Sequence, residues 1–317
     1  MADRSFVFAI SIISILLAAA CGSDTPDDPD AHIPDTVELR GTCESAEDLG
    51  GFTVASYADM SAIDGKVANG VVPVSVRELV ASEGGCSLMR KRNPFCDPAC
   101  GAGFTCNHDG NCIAAPETQD VGVVSIAGLA KQVEMEPLVP GNNYFDTQLP
   151  HPVFEPGDII ALTSTNGTYG ELKLFGVGGE DLVAPSETWT IERDVGLAIT
   201  WAAPTATDSK TRIYVELTID QHGNSPIAVQ CDVEDNGSLT VPVTLINQLL
   251  DSGVSGFPNG RIVRHTTDKV NVSDGCVDFT VSYPRQSTVR VSGHTPCMST
   301  TQCPKGQTCD IPNQTCI

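Results

Sequence analysis

Positive charge is scarce in this chain: 18 Lys and Arg stand against 40 Asp and Glu, a formal net charge of −22. A surface of that sign repels phosphate backbones and anionic headgroups, which excludes nucleic acid as an expected partner. Aromatic residues are few as well, at 5% with only two Trp, so a broad stacking platform is not expected. No long run has helical periodicity, no C-x-x-C occurs, and there is no H-E-x-x-H. These gaps argue against a helical bundle, a dithiol redox centre and a zinc protease. "GVSGF" around Ser255 is not a nucleophile elbow, because the second Gly follows Ser directly.

What the chain does have is 13 Cys, 29 Gly and 21 Pro in 317 residues. Glycine and proline at that level suit a turn-rich β protein, and the cysteines suit an oxidising compartment. The N-terminus reads the same way. "MADRSFVFAISIISILLAAAC" has a short polar start with Arg4 and an apolar run from Phe6 to Ala20. The run is shorter than the about 20 residues of a bilayer span and fits the apolar region of a signal peptide.

The run ends in Leu17-Ala18-Ala19-Ala20-Cys21 and so resembles the lipobox of bacterial lipoprotein precursors, with Ala18 where that motif has Leu. The resemblance implies a signal peptide over 1–20 and an acylated Cys21 that holds the protein to a lipid bilayer. Gly22 follows in place of the Asp that retains such lipoproteins on the inner membrane, which implies the bacterial outer membrane. Two or more acyl chains suffice for stable anchoring. Residues 21–36 then form an acidic, Pro-rich tether: "SDTPDDPDAHIPD" has five Asp, three Pro and almost nothing to bury.

Without Cys21 the remaining cysteines fall into even groups: six between Cys43 and Cys112, two in the middle and four at the end. Even parity in an exported chain points to disulfides. The residues from 37 to 116 read as a small β and cysteine-rich module, 117–295 as the main domain, and 296–317 as a C-terminal cysteine-rich knob. Cys100–Cys112 ("CGAGFTCNHDGNC") and Cys303–Cys316 ("CPKGQTCDIPNQTC") share a C-x-x-G-x-T-C core. Only Cys96-x3-Cys100 has the spacing of a zinc knuckle, so no metal or other cofactor is expected.

In the main domain, period-two alternation is clearest in "RIYVELTID", with Ile213, Val215, Leu217 and Ile219 on one face. "VGVVSIAG", "QVEMEPL", "DIIALTS", "ELKLFGV", "ETWTIE", "LAITW", "IAVQCDV", "CVDFTVSY" and "STVRVSG" read similarly. The expected fold is all-β, an antiparallel sandwich of Ig-like or jelly-roll kind flanked by the disulfide-stapled modules. "PVTLINQLLDSG" reads as a helix that starts at Pro242, stops at Gly253 and faces Ile246, Leu249 and Leu250 to the sheet.

The whole arrangement resembles uncharacterised bacterial surface lipoproteins that pair cysteine-rich knobs with a β-sandwich. The alternating connectivity of such knobs implies Cys297 with Cys309 and Cys303 with Cys316, one of three connectivities open to four cysteines. By the same spacing it implies Cys96 with Cys106 and Cys100 with Cys112, leaving Cys43 with Cys86. Cys231 and Cys276 lie in strand-like runs with no other cysteine near, and a bond between them is expected.

Function is less legible. The six histidines, His32, His108, His151, His222, His265 and His294, are scattered; His222 reads as a turn residue, and His265 in "RIVRHTTD" fits a strand surface. Trp189 and Trp201 sit in strand-like runs and are expected in the core. The acidic loops "GGEDLV", "VEDNGS" and "NVSDGCVD" could each give two or three oxygens to calcium, which leaves calcium open, but none matches an EF-hand and no metal ligand is assigned. The expected role is a membrane-anchored binding or structural module whose partner is an extracellular protein or glycan, and not an enzyme. The alternative is an envelope or extracellular hydrolase, which a concave pocket joining His222, His265 or His294 to a carboxylate would favour.

Overall fold

The computed structural model describes residues 33–183, 185, 187–206, 209–219 and 226–317. Cys21, His32 and His222, and with them the expected signal peptide, lie outside the described residues.

Two hairpins open the chain: β1 (Asp48–Ser56) with β2 (Ser61–Val67), and β3 (Arg77–Glu83) with β4 (Cys86–Lys91). The second turns at Gly84 and Gly85, both at positive φ, the backbone that a two-residue hairpin loop demands. A small disulfide-rich pair follows, β5 (Phe104–Cys106) and β6 (Cys112–Ala114). Next come β7 (Gly122–Ala127), β8 (Val133–Met135), β9 (Tyr144–Asp146), β10 (Ile159–Gly167) and β11 (Gly170–Val177). They are followed by β12 (Trp189–Ile191), β13 (Leu197–Thr200), β14 (Arg212–Thr218), β15 (Ile227–Glu234) and β16 (Ser238–Val241). Helix α1 (Val243–Asp251) leads into β17 (Asn259–Val272) and β18 (Gly275–Val291), and β19 (Cys309–Asp310) and β20 (Thr315–Cys316) close the chain.

The fold is all-β with one dominant sheet. Ten strands share it, in the order β3-β4-β15-β14-β17-β18-β1-β2-β9, with β12 also on β18. The expected antiparallel sheet is in fact mixed: β18 is antiparallel to β17 but pairs in parallel with β1 and β12. Chain from both sides of residue 116 therefore builds one sheet, and the stretch from 37 to 116 is not a separate β module. "CVDFTVSY" and "STVRVSG" are also one strand of 17 residues rather than two. Pro284 interrupts the sequence pattern but not the strand. It falls where the second edge of β18 is empty, after β1 ends opposite Ser282 and before β12 begins opposite Val289.

A second sheet, β11-β10-β7-β8, packs against the first through β11, and β13-β16 forms a separate two-stranded sheet. Between them runs a single apolar core that includes Phe52, Val54, Ile63, Ile126, Leu162, Leu174, Val215 and Phe279. Gly65 is required here, since a Cβ would stand 2.1 Å from the Phe52 ring. In α1 the buried face is Leu245, Ile246 and Leu249, one position off the expected set, with Leu250 only partly buried.

Polar side chains also join the two sheets. Thr266 of β17 accepts from the N–H of Val177 and donates to its carbonyl, both at 2.9 Å. Asp268 accepts from the N–H of Phe175 and pairs with the Nε of Arg40 at 2.8 Å. In this way the edge of β11 is satisfied by side chains instead of another strand.

All twelve described cysteines are in disulfides. The knob bonds are Cys96–Cys106, Cys100–Cys112, Cys297–Cys309 and Cys303–Cys316. The remaining four pair as Cys43–Cys276 and Cys86–Cys231, not as Cys43–Cys86 and Cys231–Cys276. Strand order explains the exchange. Cys231 of β15 lies directly opposite Cys86 of β4. Cys276 of β18 is three strands further on, about 14 Å across the sheet, and nine residues along β18 from Arg285, the residue level with Cys231, so the two are well beyond bridging range.

Candidate functional site

The large sheet has an inner face in the core and an outer face that opens to solvent along a cleft, although His265, Thr267 and Ser282 among the lining residues are themselves buried. Alternation along β17 sends Ile262, Arg264, Thr266 and Asp268 inward and Arg261, Val263, His265 and Thr267 outward. Neighbouring strands add outward side chains in register. Ser87, Gln230, Glu216 and Arg261 form one row across β4, β15, β14 and β17. Asp64, Thr53, Thr280 and Thr267 form another across β2, β1, β18 and β17. The rows line an open cleft of about 620 Å³. It crosses seven strands, a span of about 29 Å.

At one end the cleft is held by a compact network. Glu216 accepts from Tyr214 Oη at 2.8 Å and from Gln230 Nε2 at 2.7 Å, and its other oxygen faces Arg261 Nε at 3.3 Å. The Arg261 guanidinium stacks 5.4 Å above the Tyr214 ring. Burial, and then the charge of Glu216, push the Tyr214 phenol upward, so it stays a neutral donor.

The middle is built round His265, which is 7% exposed. Its Nδ1 lies 3.1 Å from Thr267 Oγ1, which lies 3.1 Å from Thr280 Oγ1. Its Nε2 has no hydrogen-bond partner and lies 3.8 Å from Asp232, an ion-pair distance but too long for a hydrogen bond. Burial would raise the Asp232 carboxyl, but His265 and Arg212, the latter at 2.6 Å, hold it below the ordinary range.

The other histidines are elsewhere. His108 Nε2 meets the carbonyl of Pro73 at 2.7 Å, His151 Nδ1 meets Ser61 Oγ at 3.0 Å, and His294 Nε2 meets the carbonyl of Gly256 at 2.8 Å. Trp189 is buried, and half-buried Trp201 donates to Asp235 at 2.7 Å. The acidic loops are largely committed to protein partners. Asp235 forms a two-point pair with buried Arg264, Asp181 pairs with Arg285, and Glu180 accepts from both Thr205 groups. Arg264 also donates to the carbonyls of Glu180, Asp181 and Ala202, so it ties three segments to β17. The cysteine groupings near one another are disulfide sulfurs, and no thiolate remains among them to bind zinc.

Sequence reasoning missed Arg261, Tyr214, Gln230, Asp232, Thr267 and Thr280 as site residues. The available signal was the alternation of β14 and β15, whose outward members include Tyr214, Glu216, Gln230 and Asp232.

The comparisons with known proteins add little. No family model matches the chain, and no curated protein matches it. Among solved structures, the FN1-FN3 domains of chicken CNTN1 match 71% of each chain at 9% identity, with a TM-score of 0.18, too low to carry an argument.

Proposed function

We propose that this protein is a binding module, tethered to the bacterial outer membrane through acylated Cys21, that engages an extracellular partner on the outer face of its large sheet. The observation that carries the reading is the cleft across seven strands, lined by ordered polar side chains and open to solvent. Cross-strand polar pairs stabilise any sheet face. This one holds Tyr214, Glu216, Gln230 and Arg261 in a shared network, which pre-organises them for a ligand. The tether fits the same role, since an extended acidic linker would hold the module off the bilayer.

A photo-crosslinking residue at Tyr57, which is 39% exposed in the cleft wall, and another at Phe95, 82% exposed and outside it, test the binding face in intact cells. Adducts concentrated at Tyr57 support the reading. Adducts at Phe95 alone, or at neither position, defeat it.

A second reading has its own observation. The cleft does join a histidine to a carboxylate, in the line Asp232, His265, Thr267, which resembles the order of acid, base and hydroxyl in a hydrolase. Binding remains the better account, because Thr267 is only 7% exposed and its hydroxyl already faces Thr280. Cleavage of a glycan or peptide that is lost in His265→Gln would reverse the order of the two.

A further inference from the structure

The outward side chains also indicate what class of ligand the cleft takes, and this step rests on the binding reading above. Charge comes first. Among the lining groups, Arg261 is paired with Glu216, and Asp232 is paired with Arg212. Asp64 has no ion-pair partner among the described residues, but it is on β2 at the far side. No cluster of unpaired charge therefore calls for an ionic ligand, and the net charge of −22 opposes an anionic one.

Hydrogen-bonding capacity comes second. Eight of the lining side chains carry a hydroxyl, and Gln230 adds an amide. Thr53, Thr280, Ser87 and Tyr214 are part-exposed, and Thr42 and Tyr57 are exposed. Hydroxyls both donate and accept, which suits a ligand that does the same at many points.

Stacking and shape come third. The Arg261 guanidinium sits 5.4 Å from the centre of the Tyr214 ring, and Tyr57 is exposed further along, so planar groups flank the hydroxyl rows. The cleft is long and open, fit for a chain-like ligand rather than a compact one. An extended peptide would look for a free strand edge to pair with, and the cleft instead crosses strands whose backbones are already paired on both sides.

We propose that the cleft binds an uncharged oligosaccharide, its rings against Tyr214–Arg261 and Tyr57 and its hydroxyls exchanging bonds with Thr53, Thr280, Ser87 and Gln230. His265 Nε2 lies buried among the lining groups with no hydrogen-bond partner among the described residues and Asp232 3.8 Å away, so it adds a polar atom beneath the hydroxyl rows.

The test is calorimetric titration of the full-length protein in detergent with three probe sets long enough to span the cleft: neutral oligosaccharides, sulfated or uronate oligosaccharides, and peptides. The expected result is binding by at least one neutral oligosaccharide, weakened tenfold or more by Arg261→Ala and by Gln230→Ala. Phe95→Ala should stay within twofold, and every variant should keep a single cooperative thermal transition well above the titration temperature. Tighter binding of an acidic oligosaccharide or of a peptide, still sensitive to Arg261→Ala, overturns the ligand class while leaving the cleft as the binding face. Binding indifferent to both cleft variants, or none from any set, overturns both.

Discussion

Asp278 of β18 sits where two carboxyl groups approach each other beside the Cys43–Cys276 bridge. Burial, and then the charge of Asp48, push its carboxyl from 3.8 up to about 7. The folded value lies above the unfolded one, so the native state keeps a proton that the unfolded chain gives up. Its contribution is thus full below about pH 4 and is lost as the pH rises to about 7, by on the order of 4 kcal/mol. Asp278→Asn should unfold at similar urea concentrations at pH 5 and pH 8, and at pH 8 should outlast the parent protein. A parent and variant with identical pH profiles would contradict this. Asp268 works in the opposite sense: burial would raise its carboxyl, but Arg40 and two backbone N–H groups hold it low, so its contribution is lost in acid. Deeper in, Arg264 is 1% exposed and Asp235 is the only carboxylate paired with it among the described residues. Asp235→Ala leaves a buried guanidinium short of its partner and should cost about 3–5 kcal/mol, read as a lower urea midpoint with unchanged slope.

At the scale of elements, the two long-range bridges fix which strands are neighbours. Cys86–Cys231 and Cys43–Cys276 close sequence separations of 145 and 233 residues. In the chain-entropy limit each stabilises the fold by roughly 5 kcal/mol. Tryptic mapping without reduction should recover these two linked pairs, and a Cys231–Cys276 peptide would contradict the strand order. Strands with one apolar and one polar face, such as β14, β10 and β11, were legible because the period-two pattern is set by burial on one side. β17 was legible only at His265, whose "RIVRHTTD" context fits a strand surface; it lacks apolar alternation because "RHTTD" is buried yet polar, with Arg264, Thr266 and Asp268 satisfied by Asp235, Val177, Phe175 and Arg40 rather than by apolar contact. That same strand supplies the middle of the cleft, so missing the rest of it hid the site. The partners Cys43 and Cys86 were out of reach for a related reason: sequence distance carries no information on sheet order, whereas the knob bonds span 10 to 13 residues and are local.

For the whole molecule, two ends of the account meet: an anchor at Cys21 and a binding face on the large sheet. Replacing Cys21 by Ser should release the protein from membranes after a carbonate wash. Retention would remove the anchor but leave the cleft untouched. The central claim concerns the cleft. It is tested most directly by measuring affinity for whichever partner the Tyr57 crosslink captures, across single alanine substitutions at Ser87, Tyr214, Gln230 and Arg261, and at Phe95, Phe104 and Ile311 on the disulfide knobs and their flanks. Losses of tenfold or more at the cleft positions, with the knob positions within twofold, are the predicted result. Losses confined to the knob positions, with the cleft silent, would contradict it.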